Sequence, residues 1–544
     1  MLQKKKILLI SIFCLILILT AQTTYAAFEK HPLSKDRQEI VWKLLYLLGP
    51  FILGLGLLIV LTRNYIKKHI LLTRIIYPTY LTGVAVFGFT LVSKLFLKDD
   101  LGEFCVAPFY AFWDYFRITP QDTKVIATLA VILFLSLGAC FLFRLKNKKI
   151  FLAGLVATSF FLNILAASLT IDLTKQYDIG FPKNFSKSIT NTFLGERPAR
   201  FQIEYYWDIS KVKKGFIADY PNLIGDYTDP SWKYLSAHGS HHPPGPALFL
   251  WLLSKMGLGA LGQSLVIILL GSLSAALVYL LALRLFDERI GRAAAFLFIF
   301  SPSIILYSAT SVDIIFMFLN LLAVYFFIRA LEGKRLGSAF LSGLFFSVLL
   351  FFNFVNLIMF LFFGLIVLFY WKSIKHLALK MIFFFLGLAI FHGFFIVFFD
   401  YNLPLVFYRT YMARWHIPML ADVRPYFYWV PWGSFVQYFT FLGLPFIWFV
   451  LLHLKKTFID IKNRKFAPSD LIFLATFAVY FVIHLLSRGE LSRILLFLAP
   501  LFVISLTYFI SNIFKKNLTK AVFLMSLVML IETIVIEILL NTYW

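Results

Sequence analysis

The sequence predicts an all-α polytopic membrane protein, a bundle of about 14 transmembrane helices with one large extracytoplasmic loop. Three observations carry that prediction. The chain of 544 residues is 60% hydrophobic, 19% aromatic and only 14% charged, with a mean hydropathy of +0.84. A soluble core cannot take up that much apolar surface. Apolar runs long enough to span a bilayer, about 20 residues of helix each, recur along the chain. Finally, the cations cluster between those runs, as loops do under the positive-inside rule.

Taken in order, residues 1–27 read as a signal peptide. Lys4-Lys5-Lys6 is a basic start, Ile7 to Thr20 an apolar core, and Thr24-Tyr25-Ala26 a small-residue cleavage region. An uncleaved first transmembrane helix is the alternative, and either places residue 30 outside the cytoplasm. Residues 28–171 form the N-terminal transmembrane helices, with apolar runs near 41–63, 70–95, 124–144 and 150–171. Residues 172–259 form a polar extracytoplasmic loop with interfacial helices, and 260–544 the C-terminal transmembrane helices. The later runs lie near 260–285, 290–308, 312–331, 337–352, 354–371, 378–399, 433–454, 469–487, 494–514 and 520–541.

Alternation from residue 30 makes every cytoplasmic loop basic: Arg63/Lys67/Lys68, Arg144 to Lys149, Arg289/Arg292, Lys334/Arg335, Lys372/Lys375, Lys455 to Lys465 and Lys515 to Lys520. The same alternation puts 172–259, 400–432 and 488–493 together on the opposite face. The net charge of +24, from 51 basic and 27 acidic residues, is therefore read as topology and contact with anionic headgroups rather than as nucleic-acid binding. Cys14, Cys105 and Cys140 have no metal or redox spacing. No phosphate loop, dinucleotide fingerprint or zinc-protease helix is present.

The polar loop carries Asp172, Asp178, Glu196, Glu204, Asp208, Asp219, Asp226 and Asp229 and closes on Ser236 to Pro246. Within it, Glu204-Tyr205-Tyr206-Trp207-Asp208 places two carboxylates one helical turn apart, walled by aromatics, a setting that can tune a general base. An interfacial aromatic belt with solvated acids is the plainer reading. His238, His241 and His242 precede Pro243-Pro244-Gly245-Pro246, a stiff entry to a helix expected at Ala247 to Met256. Those histidines could meet a phosphate, or hold a divalent metal with Asp226 or Asp229.

Arg488-Gly489-Glu490-Leu491-Ser492-Arg493 sets two cations against one carboxylate on the face where cations are disfavoured, which suits phosphate binding. Its plainer reading is a self-satisfied Arg–Glu pair. Between Tyr401 and Trp432, Arg409, Arg414, His416, Asp422 and Arg424 mix with aromatics suited to a sugar or an isoprenoid chain. Asp313, at the outer start of an apolar run, is a further candidate, and His392 reads as a packing residue. Other polar residues concentrate at one face.

A polar loop with an early acid, ending in His-Pro-Pro ahead of an apolar stretch, resembles the C-type (GT-C) integral membrane glycosyltransferases. That family includes relatives of the dolichyl-phosphate-mannose–protein mannosyltransferases and the lipid A aminoarabinose transferases. The resemblance covers Glu204 to Asp208, His238 to Pro246, Tyr426 to Pro445 and Arg488 to Pro500. It implies a GT-C-like bundle in the plasma (inner) membrane that moves a sugar from a polyprenyl-phosphate carrier to a glycan, lipid or protein acceptor on the extracytoplasmic side. Glu204 matches the family's catalytic base best, with Asp208 next. Arg488 and Arg493 match its carrier-phosphate arginines. Beside the resemblance, His238, His241, His242, Arg424 and Glu490 are further expected substrate-binding residues. The isolated Glu204 departs from the family's Asp-Glu pair near a span exit, which keeps Asp172 open as the base. The four spans before the loop also exceed the family's usual one. A transporter or flippase for lipid-linked saccharides is the competing class; it would show ionisable groups and broken helices near mid-membrane.

Overall fold

The computed structural model describes residues 71–96, 123–169, 242–309, 311–371, 374–415, 435–463, 468–486 and 491–539. The expected leader at 1–27, the run at 41–63 and loop residues 172–241 lie outside them. Within the described residues every regular element is helical. A π turn at Leu72–Ile76 leads into α1 (Tyr77–Phe96), and α2 (Thr123–Cys140) and α3 (Lys148–Ala167) form a hairpin. Next come α4 (Gly245–Lys255), α5 (Ala260–Leu285), α6 (Glu288–Ile299), α7 (Pro302–Ser308), α8 (Asp313–Leu331) and α9 (Leu336–Phe352). The chain continues through α10 (Met359–Tyr370), α11 (Leu377–Phe399), α12 (Leu403–Trp415), α13 (Phe435–Leu442) and α14 (Leu444–Lys462). It ends with α15 (Pro468–Leu486), α16 (Leu491–Ile494), α17 (Ala499–Phe514) and α18 (Leu518–Leu539).

The expected apolar runs from residue 70 onward coincide with these helices, so the all-helical polytopic architecture stands. Among the described residues, six helices are long and apolar enough to cross a membrane, or up to eight if each of two bent pairs is one span. The runs expected as single spans at 290–308 and 433–454 are those bent pairs. α6 and α7 meet at 54°, and α13 and α14 at 117°. Both breaks have local causes. Pro302 opens α7 and removes a backbone donor there. Gly443 sits at φ +136°, where a Cβ would strike the Met529 thioether, so the backbone reverses where only glycine fits.

Helix starts follow the side chains available. Asn147 accepts from the backbone N–H of Lys149 and Ile150 at the head of α3, and Asp287 accepts from Ile290 at the head of α6. α9 and α11 pack most closely. A Cβ on Gly343 would run into the Phe384 carbonyl, and one on Gly387 into the Phe340 carbonyl. Small residues let the two backbones touch, which is how helices associate where lipid removes the hydrophobic drive. Ser347 adds a hydrogen bond from its hydroxyl to the Leu388 carbonyl, 2.7 Å.

Helix direction sorts the connections into two ends. The turns after α2, α5, α8, α10, α14 and α17 carry Arg144/Lys146, Asp287/Arg289, Lys334/Arg335, Lys375, Lys462 and Lys515/Lys516. This is the basic end. The opposite end gathers the start of α4, the α7–α8 turn, Asn353, Asp400 to Trp415, α13 and the Leu491–Leu498 segment. The described parts of 172–259, 400–432 and 488–493 therefore share one end, as the alternation of charges requires.

One expectation is corrected by the packing. Polar side chains are not confined to one face. Glu532 of α18 is buried and accepts the Leu444 N–H at 2.9 Å, capping α14 at its bend. Near the basic end, His453 is buried between the rings of Phe473 and Phe509, at 4.0 and 4.6 Å. Its Nε2 lies 3.0 Å from Asp470, which also accepts from Lys456 at 2.8 Å. Burying these groups without partners would cost several kcal/mol each, on the order of the penalties for unpaired polar atoms. They pair because α14, α15 and α18 bring them together, and a linear sequence does not show that.

Candidate functional site

Of the expected site residues, His242 and Arg493 fall among the described ones, as do the further candidates Asp313 and Arg409. Glu204, Asp208, His238, His241, Arg424, Arg488 and Glu490 lie outside them, as does Asp172.

His242 enters α4 through a stiff turn. Pro243, Pro244, Gly245 and Pro246 are all buried, and the helix begins at Gly245, two residues earlier than expected, with Pro244 as its cap and Pro246 in its first turn. The early start is a packing effect. A Cβ at Gly245 would meet the Phe351 carbonyl at 2.5 Å, so α4 docks its first residue directly onto α9. From there Phe249, Phe352 and Phe316 form a chain of rings 6.1 and 6.0 Å apart. Phe316 lies one turn from Asp313 on α8.

Arg493 provides the central contact. Its Nε lies 3.4 Å from the Asp313 Oδ2, and both side chains are only 12% exposed. Asp313 also accepts from the Ser311 hydroxyl at 2.7 Å, while its own N–H donates back to that hydroxyl at 3.2 Å. As the first residue of α8, Asp313 sits where the helix dipole favours a negative charge. The carboxylate thus accepts one hydrogen bond and sits at a helix start before it meets the arginine. Asp313 approaches the guanidinium at its Nε edge.

The segment carrying Arg493 is itself gripped by its neighbours. The Tyr307 hydroxyl lies 2.9 Å from the Ser492 hydroxyl, and the Tyr307 ring stacks on Phe441 at 5.8 Å. The Tyr438 hydroxyl donates to the Leu495 carbonyl at 3.4 Å, and the Asn320 amide to the Phe497 carbonyl at 3.0 Å. Beneath them the Ser301 hydroxyl donates to the Leu442 carbonyl at 2.7 Å. That last bond ties the break between α6 and α7 to the break between α13 and α14. Three side chains from three helices hold residues 492–498, the kind of rigid support that fixes a binding group's geometry.

Sequence reasoning singled out Asp313 and Arg493 separately and missed that they pair. It gave the outer arginines one carboxylate to share, Glu490, and read the surplus cation as a phosphate ligand. Asp313 supplies a second carboxylate, so the charge surplus behind that reading is smaller than expected. The signal available in sequence was position alone: both residues sit at the same end of their spans.

His392 is a packing residue, with its Nδ1 2.5 Å from the Ser347 hydroxyl and Phe351 and Tyr401 around its ring. Tyr401 is fully buried, and burial pushes its phenol well above the ordinary range, so it stays neutral. Among the described residues no group of three or more His, Cys, Asp or Glu is placed to hold a metal ion.

Residues 241–398 match the dolichyl-phosphate-mannose-protein mannosyltransferase family. The expected resemblance to the GT-C membrane glycosyltransferases is borne out. The match begins at the His-Pro-Pro motif and runs to the end of α11, so it includes His241, His242 and Asp313. Glu204, Asp208 and His238 precede it, and Arg424, Arg488, Glu490 and Arg493 follow it. A crystal structure of ArnT from Cupriavidus metallidurans bound to undecaprenyl phosphate is similar to this chain with a TM-score of 0.43 and 12% identity, over 72% of this chain and 77% of that one. No curated protein sequence matches the chain.

Proposed function

We propose that this membrane glycosyltransferase takes a sugar from a polyprenyl-phosphate carrier and passes it to an acceptor hydroxyl at the end opposite the basic loops, the extracytoplasmic side. The observation that carries the reading is the match of residues 241–398 to the mannosyltransferase family; Arg493, positioned by Asp313 on a segment that three helices hold still, is the candidate cation. A sugar on a phosphate already has a good leaving group. The enzyme needs a base for the acceptor and a cation for the departing phosphate.

In this reading Glu204 takes the acceptor's proton as the acceptor oxygen attacks C1, with Asp208 beside it. The C1–O bond to the phosphate breaks, the anomeric centre inverts, and the phosphate leaves carrying the bonding electrons. Arg493, with Arg488, receives that charge. Asp313 acts as a positioning residue that fixes the guanidinium plane. His238, His241, His242, Arg424 and Glu490 line the sugar and its phosphate. The donor sugar is a hexose or pentose, and a divalent metal bound by the loop histidines with Asp226 or Asp229 is compatible with the chemistry.

One observation favours a second reading, a transporter or flippase of lipid-linked saccharides. Two bent spans are tied together at their breaks, and a buried carboxylate, Glu532, caps one of them. Broken helices beside an intramembrane acid are a common design for a translocation site.

A single assay separates the two. Proteoliposomes carrying wild type, Glu204→Gln or Arg493→Gln are given radiolabelled polyprenyl-phosphate sugars. Transfer to an acceptor by wild type, with a loss of about 100-fold or more in each variant, supports the enzyme. Label that crosses the bilayer still attached to its carrier, equally in all three proteins, supports the transporter and removes Glu204 from the chemistry.

A further inference from the structure

The basic end contains a pocket that topology alone does not account for. Its volume is about 520 Å³, and its lining brings three loops from distant parts of the chain together. Arg144 and Lys146 come from the α2–α3 turn, Arg289 and Arg292 from the head of α6, and Thr519 from the head of α18. Hydrogen bonds stitch the loops to one another. Arg292 donates to the Leu145 carbonyl at 2.6 Å, and Arg289 donates to the Lys515 carbonyl.

The cations here divide into two kinds. Arg292 is committed to structure: it pairs with Glu288 at 2.9 Å and lies over the Phe151 ring at 4.7 Å. Glu288, the acid in the lining, is also taken by Lys148 at 2.7 Å. Among the described residues no carboxylate lies within ion-pair distance of Arg144, Lys146 or Arg289. In two other turns at this end acids balance some of the cations. Glu332 balances Arg284 and Arg335, and Asp460 with Asp470 balances Lys456. Among the described residues, cations without an ion-pair partner also occur singly elsewhere at this end, at Lys334, Lys375, Lys455 and Lys462, but here Arg144, Lys146 and Arg289 line one concave spot.

Apolar groups complete the surface. Phe143, Leu145 and Leu518 line the pocket, and Phe141, beneath the Arg144 guanidinium at 5.1 Å, is 61% exposed. Cations above a greasy rim fit a molecule that carries phosphate at one end and hydrocarbon at the other. A free phosphate would gain nothing from the rim.

We propose that this pocket binds the headgroup of an anionic phospholipid from the adjoining leaflet, with its phosphate on Arg144, Lys146 and Arg289 and its chains along Phe141. The site is separate from the glycosyl-transfer site and does not depend on that assignment.

The test is native mass spectrometry of the full chain exchanged with phosphatidylcholine, phosphatidylglycerol or cardiolipin. Inorganic phosphate serves as a soluble competitor. Wild type should retain the anionic lipids over phosphatidylcholine, and each of Arg144→Gln, Lys146→Gln and Arg289→Gln should lower that preference about five-fold. All three positions are exposed, so the fold should survive; a Lys334→Gln variant, in a neighbouring basic turn, should keep the full preference. Equal retention of neutral and anionic lipid would overturn the proposal. So would an unchanged preference in the triple variant, or displacement of the lipid by millimolar phosphate alone.

Discussion

The two ends of the bundle handle charge in opposite ways. At the basic end the cations are many, and several stand without an acid partner in water-accessible turns. At the other end the Asp313–Arg493 pair is nearly buried, with Asp313 fixed further by the Ser311 hydroxyl and the segment carrying Arg493 gripped by its neighbours. The difference reflects cost. An exposed cation at a bilayer surface keeps its hydration and fixes topology, so it needs no partner. A buried one loses that hydration and persists only if an opposite charge and hydrogen bonds replace it. Charge that orients a membrane protein is therefore found in numbers, whereas charge that serves a site is scarce and held in place.

The sharpest way to break this comparison is Asp313→Asn. It leaves a similar shape but removes the negative charge facing Arg493. Breaking a buried pair from one side should cost about 3 kcal/mol, read as a large drop in the thermal midpoint of the detergent-solubilised protein. The double variant Asp313→Asn/Arg493→Gln should recover part of that loss, because neither charge is then left alone. A single variant that melts with wild type would mean the pair is incidental.

The fold was legible in the sequence wherever hydrophobicity alone decides it. From residue 70 onward the apolar runs match helices, since twenty apolar residues in a bilayer have few alternatives to a helix. The bends were not legible. Pro302 and Gly443 are visible as residues, but whether a proline or glycine bends a span depends on what packs beside it, here Ser301 on Leu442 and Met529 against Gly443. The site was half legible. Asp313 and Arg493 were each marked by a charge at the wrong face or depth, yet their pairing needs α8 and the Leu491–Leu498 segment to be neighbours. Hydropathy carries no information on which helices touch.

Glu532 tests whether a buried acid can be purely structural. Its carboxylate accepts the Leu444 N–H and secures the reversal at Gly443. Glu532→Leu should cost about 1–3 kcal/mol, the penalty of an unsatisfied buried donor. Glu532→Gln keeps an acceptor and should cost less. If Glu532→Gln instead abolishes movement of labelled carrier across the bilayer while leaving stability unchanged, the carboxylate serves transport, and the second functional reading gains ground.

The smallest effect belongs to the basic end. Glu332 bridges Arg284 at 2.5 Å and Arg335 at 3.4 Å, a geometry as close as the Asp313–Arg493 pair, but Glu332 and Arg335 are each 45% exposed. Solvent screens such contacts, so Glu332→Gln should cost less than about 1 kcal/mol. That cost should shrink further as salt is raised, because the Debye length falls to about 3 Å at 1 M. The Asp313→Asn loss should barely respond to salt, since the pair lies out of reach of counterions. Thermal midpoints of the two variants at low and high salt give four numbers that decide the matter. If Glu332→Gln proves as damaging as Asp313→Asn and equally insensitive to salt, exposure does not separate the two ends, and the contrast between orienting charge and site charge fails with it.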